Sequence, residues 1–182
     1  VCTSGTLLED ASLLRAALVC NLKRPGVTTH LASAVKLLPD DDVYGRFMAR
    51  VVTDDTLVSA RDVDRIISSP EHAATPVLAA ALVLSSLELN HAEAGGLAAL
   101  RSRFGSHGGC AAGPEVDVPD LLSTAVALFT LWSYGEKAPL PFATRDFVQA
   151  HWTHAGGFCG SLFDPQPDAE YTWYALLALG CL

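Results

Sequence analysis

The carboxylates best placed to do acid chemistry stand together near the C-terminal end, as Asp168-Ala169-Glu170. Two neighbouring acids cannot both ionise cheaply, so one is driven towards its protonated form and can act as a general acid. Asp120, which heads a similar segment, joins Glu170 and Asp168 as a candidate catalytic residue. Each Asp also has a structural explanation. A carboxylate at a helix start accepts orphan N–H groups and faces the positive end of the dipole. Capping is the stronger explanation for Asp120 and Asp168, whereas Glu170 is not needed as a cap. Asp62-Val63-Asp64 reads as a solvated first helical turn, and Asp40-Asp41-Asp42 after Pro39 reads as a cap.

The same third of the chain holds most of the rings. Tyr171, Trp173, Tyr174, Phe158, Phe129 and Trp132 are candidate substrate-binding residues, and ordinary core packing would use the same side chains. His107, Cys110, His154 and Cys159 fall in two equivalent loops and would form a closed Cys₂His₂ zinc site if the loops converged. Neither spacing fits a standard zinc motif, so no metal and no cofactor is expected. Cys159 with His151 or His154 would make a nucleophile pair, but no orienting carboxylate can be named for it.

These residues sit on a segment that is written twice. Gly108-Gly109-Cys110 leads to Asp120, with Thr124, Ala127 and Leu128 following. Gly156-Gly157-Phe158 leads to Asp168, with Thr172, Ala175 and Leu176 following, every matched pair 48 residues apart. A period of this length marks stacked supersecondary units. Apolar periodicity predicts helices throughout, over 8–22, 27–38, 42–53, 60–69, 74–89, 91–104, 119–134, 143–154 and 168–181. No stretch alternates as a strand should, and the Gly- and Pro-rich links from Phe104 to Pro119 and from His154 to Asp168 read as loops. Helices over 74–89, 119–134 and 168–181 are apolar nearly all round, which predicts an inner layer wrapped by the more polar helices between them.

Composition narrows the partners. Half of the 182 residues are hydrophobic, 18% are charged, and mean hydropathy is +0.29, which predicts a greasy cavity or an apolar interface. A net charge of −8 argues against nucleic acid. No apolar run reaches membrane-spanning length. Five widely spaced cysteines read as reduced thiols rather than a disulfide framework, and with no secretory leader in view the expected setting is cytoplasmic. No low-complexity linker divides the chain, so a single domain over 1–182 is expected.

The pattern Gly156-Gly157-Phe158, Asp168, Tyr171-Thr172, Tyr174-Ala175-Leu176 resembles the prenyltransferase and squalene-oxidase repeat, most clearly over 95–182. That resemblance implies an all-α fold, the α/α toroid of class II terpene cyclases and protein prenyltransferase β subunits, here as a short or incomplete ring. The zinc-dependent branch is disfavoured, because Leu122 stands where its Cys ligand would be and Tyr171 where its His would be. The cyclases' Asp-x-Asp-Asp-Thr acid motif is matched only loosely, by Asp120 to Thr124 and by Asp168 to Thr172. Two functions follow as expectations. One is acid-initiated cyclisation or isomerisation of a hydrophobic isoprenoid or polyene substrate, with Glu170 or Asp168 as the acid and the rings shaping a cationic intermediate. The other is a non-catalytic module that binds a lipid or a partner protein, with a second chain or a second copy completing it.

Overall fold

The doubled segment folds into two copies of one object, a helix, a turn, a short β-hairpin and a second helix. The computed structural model describes residues 60–88 and 94–182, nearly all of them within one compact unit, Val63–Leu182. The predicted helices over 8–22, 27–38 and 42–53, with Cys2, Cys20 and Asp40 to Asp42, lie outside the described residues. Helix α1 (Ala60–Ser68) and a 3₁₀ turn (Pro70–His72) precede α2 (Thr75–Glu88). The first copy is α3 (Ala94–Ser102), the hairpin β1 (Cys110–Gly113) and β2 (Val116–Asp120), and α4 (Leu121–Ser133). The second is α5 (Pro141–Ala150), β3 (Phe158–Ser161) and β4 (Asp164–Asp168), and α6 (Ala169–Gly180).

The two copies agree bond by bond. Cys110 pairs with Asp120 and Gly113 with Val116 in the first hairpin; Phe158 pairs with Asp168 and Ser161 with Asp164 in the second. The Ala111 N–H donates to the Arg103 carbonyl, and the Cys159 N–H donates to that of His151. Asp120, in extended conformation, accepts the Ser123 N–H at 2.7 Å, and Asp168 accepts the Tyr171 N–H at the same distance. Each Asp thus closes a hairpin and caps the helix that leaves it. Gly108 has φ +84°, and a Cβ there would run into the backbone of Ala143 and Thr144 at the start of α5. Only glycine lets the turn and the helix approach so closely.

The apolar helices stack in a row, α2 against α4 and α4 against α6. Leu121, Ala125 and Leu128 of α4 meet Tyr174, Ala175 and Ala178 of α6, with Val148 and Phe158 closing the cluster. The polar helices α3 and α5 precede the hairpins. Helix ends fall within four residues of those predicted for all six described helices.

The fold class differs from expectation. The described residues are not an all-α toroid but a mixed assembly in which helices alternate with two antiparallel two-stranded sheets. The strands were invisible to periodicity for a physical reason. Val-Asp-Val-Pro-Asp and Asp-Pro-Gln-Pro-Asp are mostly exposed, and their partners are only four residues long, so no buried face imposes alternation. Turn glycines and anchoring by the following helix set the pairing instead. Among the described residues no helix is long and apolar enough to cross a membrane.

Candidate functional site

None of the three candidate acids lines either of the two cavities formed by described residues. Asp120 and Asp168 spend their carboxylates on helix N-termini. Glu170 is half-buried in the first turn of α6 and lines neither of the two cavities described below. Asp64 is exposed on α1.

The rings go mainly to the core. Tyr174 is fully buried, with Trp173 edge-on at 4.9 Å between centroids and Tyr171 tilted at 6.3 Å. Phe158 is buried against Trp152 at 5.1 Å. These side chains fill space rather than enclose it. Phe129 and Trp132 stack at 6.1 Å on α4, and Trp132 is 58% exposed. It lines a cavity of about 530 Å³ at the C-terminal end of α6, with Pro141, Cys181 and Leu182.

The His and Cys side chains of the two loops differ in exposure. His107 and His154 are exposed, whereas Cys110 and Cys159 are buried. Among the described residues no group of three or more His, Cys, Asp or Glu could hold a metal ion. The Cys159 thiol donates to the His151 carbonyl, with sulfur and oxygen 3.4 Å apart, rather than to its ring. His151 Nδ1 lies 3.0 Å from the Phe147 carbonyl; a carbonyl only accepts, so this nitrogen carries the proton. Cys159 and His151 thus form no thiol–imidazole pair.

What the structure does display is an unfinished helix face. In α4, Leu128 is 1% exposed because α6 covers it; Leu176, its repeat equivalent in α6, is 59% exposed. Tyr174, Ala175 and Ala178 turn one side of α6 into the core. The opposite side carries Ala169, Trp173, Leu176 and Gly180, in the i, i+4, i+7, i+11 spacing of a single stripe. Ala169, Leu176 and Gly180 are exposed and Trp173 is half-buried, and none of the four bears a charge or a polar group other than the indole N–H. A helix that is apolar on every side belongs between neighbours. Sequence reading singled out Trp173 but missed Leu176; the signal was present, since it is the counterpart of a core leucine in the preceding copy.

No family model, no curated protein and no solved structure matches this chain. Function must then be read from the chain's own residues.

Proposed function

We propose that this protein is a repeat-built interaction module whose docking face is the open side of α6, and that a second copy of the chain occupies it. The carrying observation is the contrast between Leu128, covered, and Leu176, bare, at equivalent places in two otherwise matching units. A helix side made of exposed apolar and small residues favours a covering neighbour, and this side of α6 offers no charged group to water.

A second copy fits because the stripe is self-complementary. Read in either direction it runs small, large, large, small. In an antiparallel two-fold pair Ala169 faces the partner's Gly180 and Trp173 faces the partner's Leu176, so the small residues let the helix ends approach while the two large apolar groups bury each other. Trp132, Cys181 and Leu182, which line one cavity, extend the apolar zone beyond the helix. Acid catalysis draws less support, since two of its three carboxylates serve as caps and the rings fill a core.

Sedimentation equilibrium across a wide range of protein concentration tests this function. The wild-type mass is expected to rise towards that of a dimer, and Leu176→Asp to hold it at one chain, with the thermal midpoint in dilute solution unchanged. A wild-type chain that stays monomeric throughout, or a Leu176→Asp variant that associates equally well, overturns the proposal.

A further inference from the structure

A second cavity, of about 510 Å³, opens between α3, the first hairpin and the 3₁₀ turn, and Arg103 forms part of its wall. Arg103 is only 9% exposed. Its guanidinium donates to the Thr75 hydroxyl at 2.9 Å and to the Pro70 carbonyl at 2.6 Å, both neutral acceptors. The Thr75 hydroxyl spends its own proton on the Ala111 carbonyl, so it meets the guanidinium as an acceptor. Among the described residues no carboxylate comes within ion-pair distance of Arg103. The neighbouring Cys110 thiol supplies no counter-charge either, because burial pushes its pKa up to about 12 and it stays protonated. Burying a charge without an opposite charge is costly, and two neutral acceptors leave three of the five guanidinium N–H groups unassigned.

The fold does not require that cation. In the second copy the corresponding residue is His151, buried and bonded to the Phe147 carbonyl. Nor does the fold require the cavity. The Phe147 ring packs edge-on against His151 at 4.8 Å, and its counterpart one repeat earlier is Ala99, which lines the cavity beside Arg103. Where one copy places a ring against an imidazole, the other places open space against a guanidinium. Those two departures, four residues apart at the C-terminal end of α3, coincide.

We infer that this cavity binds a small organic monocarboxylate, with Arg103 as its counter-charge. A guanidinium suits a carboxylate because its parallel N–H groups meet both oxygens. Phe104, Val116 and Pro119 offer an apolar wall for the rest of the ligand. Glu71 and Asp117 line the same cavity and would repel a doubly charged phosphate more than a single carboxylate. The inference stands apart from the α6 docking face, which shares no residue with it.

Titration of the ¹⁵N-labelled full chain with sodium benzoate, followed by amide shifts, tests the inference, with sodium phosphate at matched ionic strength as the second arm. Benzoate is expected to shift amides over 102–119 saturably, and phosphate is not. Ala99→Phe, which installs the second copy's residue and leaves Arg103 in place, and Arg103→His are each expected to weaken benzoate about tenfold or more, the scale of one charge-assisted hydrogen bond. Circular dichroism melts check that each variant folds; should Arg103→His fail to, Ala99→Phe alone decides. Absence of saturable benzoate shifts, unchanged affinity in Ala99→Phe, or tighter binding of phosphate overturns the inference.

Discussion

The hydroxyl of Thr124 accepts the backbone N–H of Cys110 at 2.8 Å while donating to the Asp120 carbonyl at 2.7 Å, so one side chain ties the first residue of a hairpin to the helix that follows it. One repeat later Thr172 accepts the Phe158 N–H at 3.0 Å. This bond explains why threonine recurs four residues after each aspartate. Thr124→Val keeps the shape and removes the hydroxyl, leaving a buried N–H without a partner at a cost of about 1–3 kcal/mol. Thr172 is half-buried, so water can reach the freed N–H and Thr172→Val should cost less. Urea denaturation of the two variants checks the order; equal losses would refute the role of burial, and no loss in either would show that the hairpin does not depend on this tie.

Much of this was legible in the residues. The repeat, its 48-residue period, the six described helices and the aspartate caps all follow from spacing and helix-terminus chemistry. The hairpins were not legible, because strands of four or five residues with one buried face at most leave no period to detect. The sites were missed for a different reason. Glu170 and the rings drew notice as reactive or aromatic types, whereas Arg103 and Leu176 are ordinary residues made unusual only by comparison with His151 and Leu128. Burial and exposure, which sequence does not carry, reveal the difference.

Gly108 and Gly156 share a left-handed backbone, φ +84° and +86°, yet differ in surroundings. A Cβ at Gly156 meets nothing within 4 Å, so Gly156→Ala should cost only the conformational strain, about 1–2 kcal/mol. At Gly108 the added carbon meets α5 backbone, which no side-chain rotation can clear. Gly108→Ala should therefore cost about 4 kcal/mol or more, in the range of severe core defects. Thermal melts of the pair would refute the close approach of turn and helix if the two losses matched.

Cys110 makes stability fall in alkali. Its thiol has an ordinary pKa of 9.0 and is raised to about 12 by burial in the folded chain. Between those values the unfolded chain releases a proton that the folded chain retains, so unfolding gains with each step in pH. The stabilisation is complete below pH 9 and is lost progressively as pH rises towards 12. Burial raises the Cys181 thiol too, with the same sign. Denaturation midpoints measured from pH 8 to pH 11 should fall more steeply for the wild type than for Cys110→Ala, and parallel curves would contradict the assignment.

Truncating the two equivalent leucines separates core from docking face. Leu128→Ala opens a cavity among Val148, Phe158 and Tyr174 and should cost about 2–5 kcal/mol at any protein concentration. Leu176→Ala removes atoms that a single chain leaves in water, so in dilute solution its effect should stay within about 0.5 kcal/mol. At high concentration the prediction changes. Association through α6 adds stability to the folded state by mass action, and a variant that cannot associate forgoes that gain. Wild-type midpoints should then climb with concentration while those of Leu176→Ala climb less, and those of Leu128→Ala start lower but rise in parallel with the wild type. If Leu176→Ala tracked the wild type at every concentration, the bare leucine would be an ordinary surface residue and this side of α6 no interface between copies.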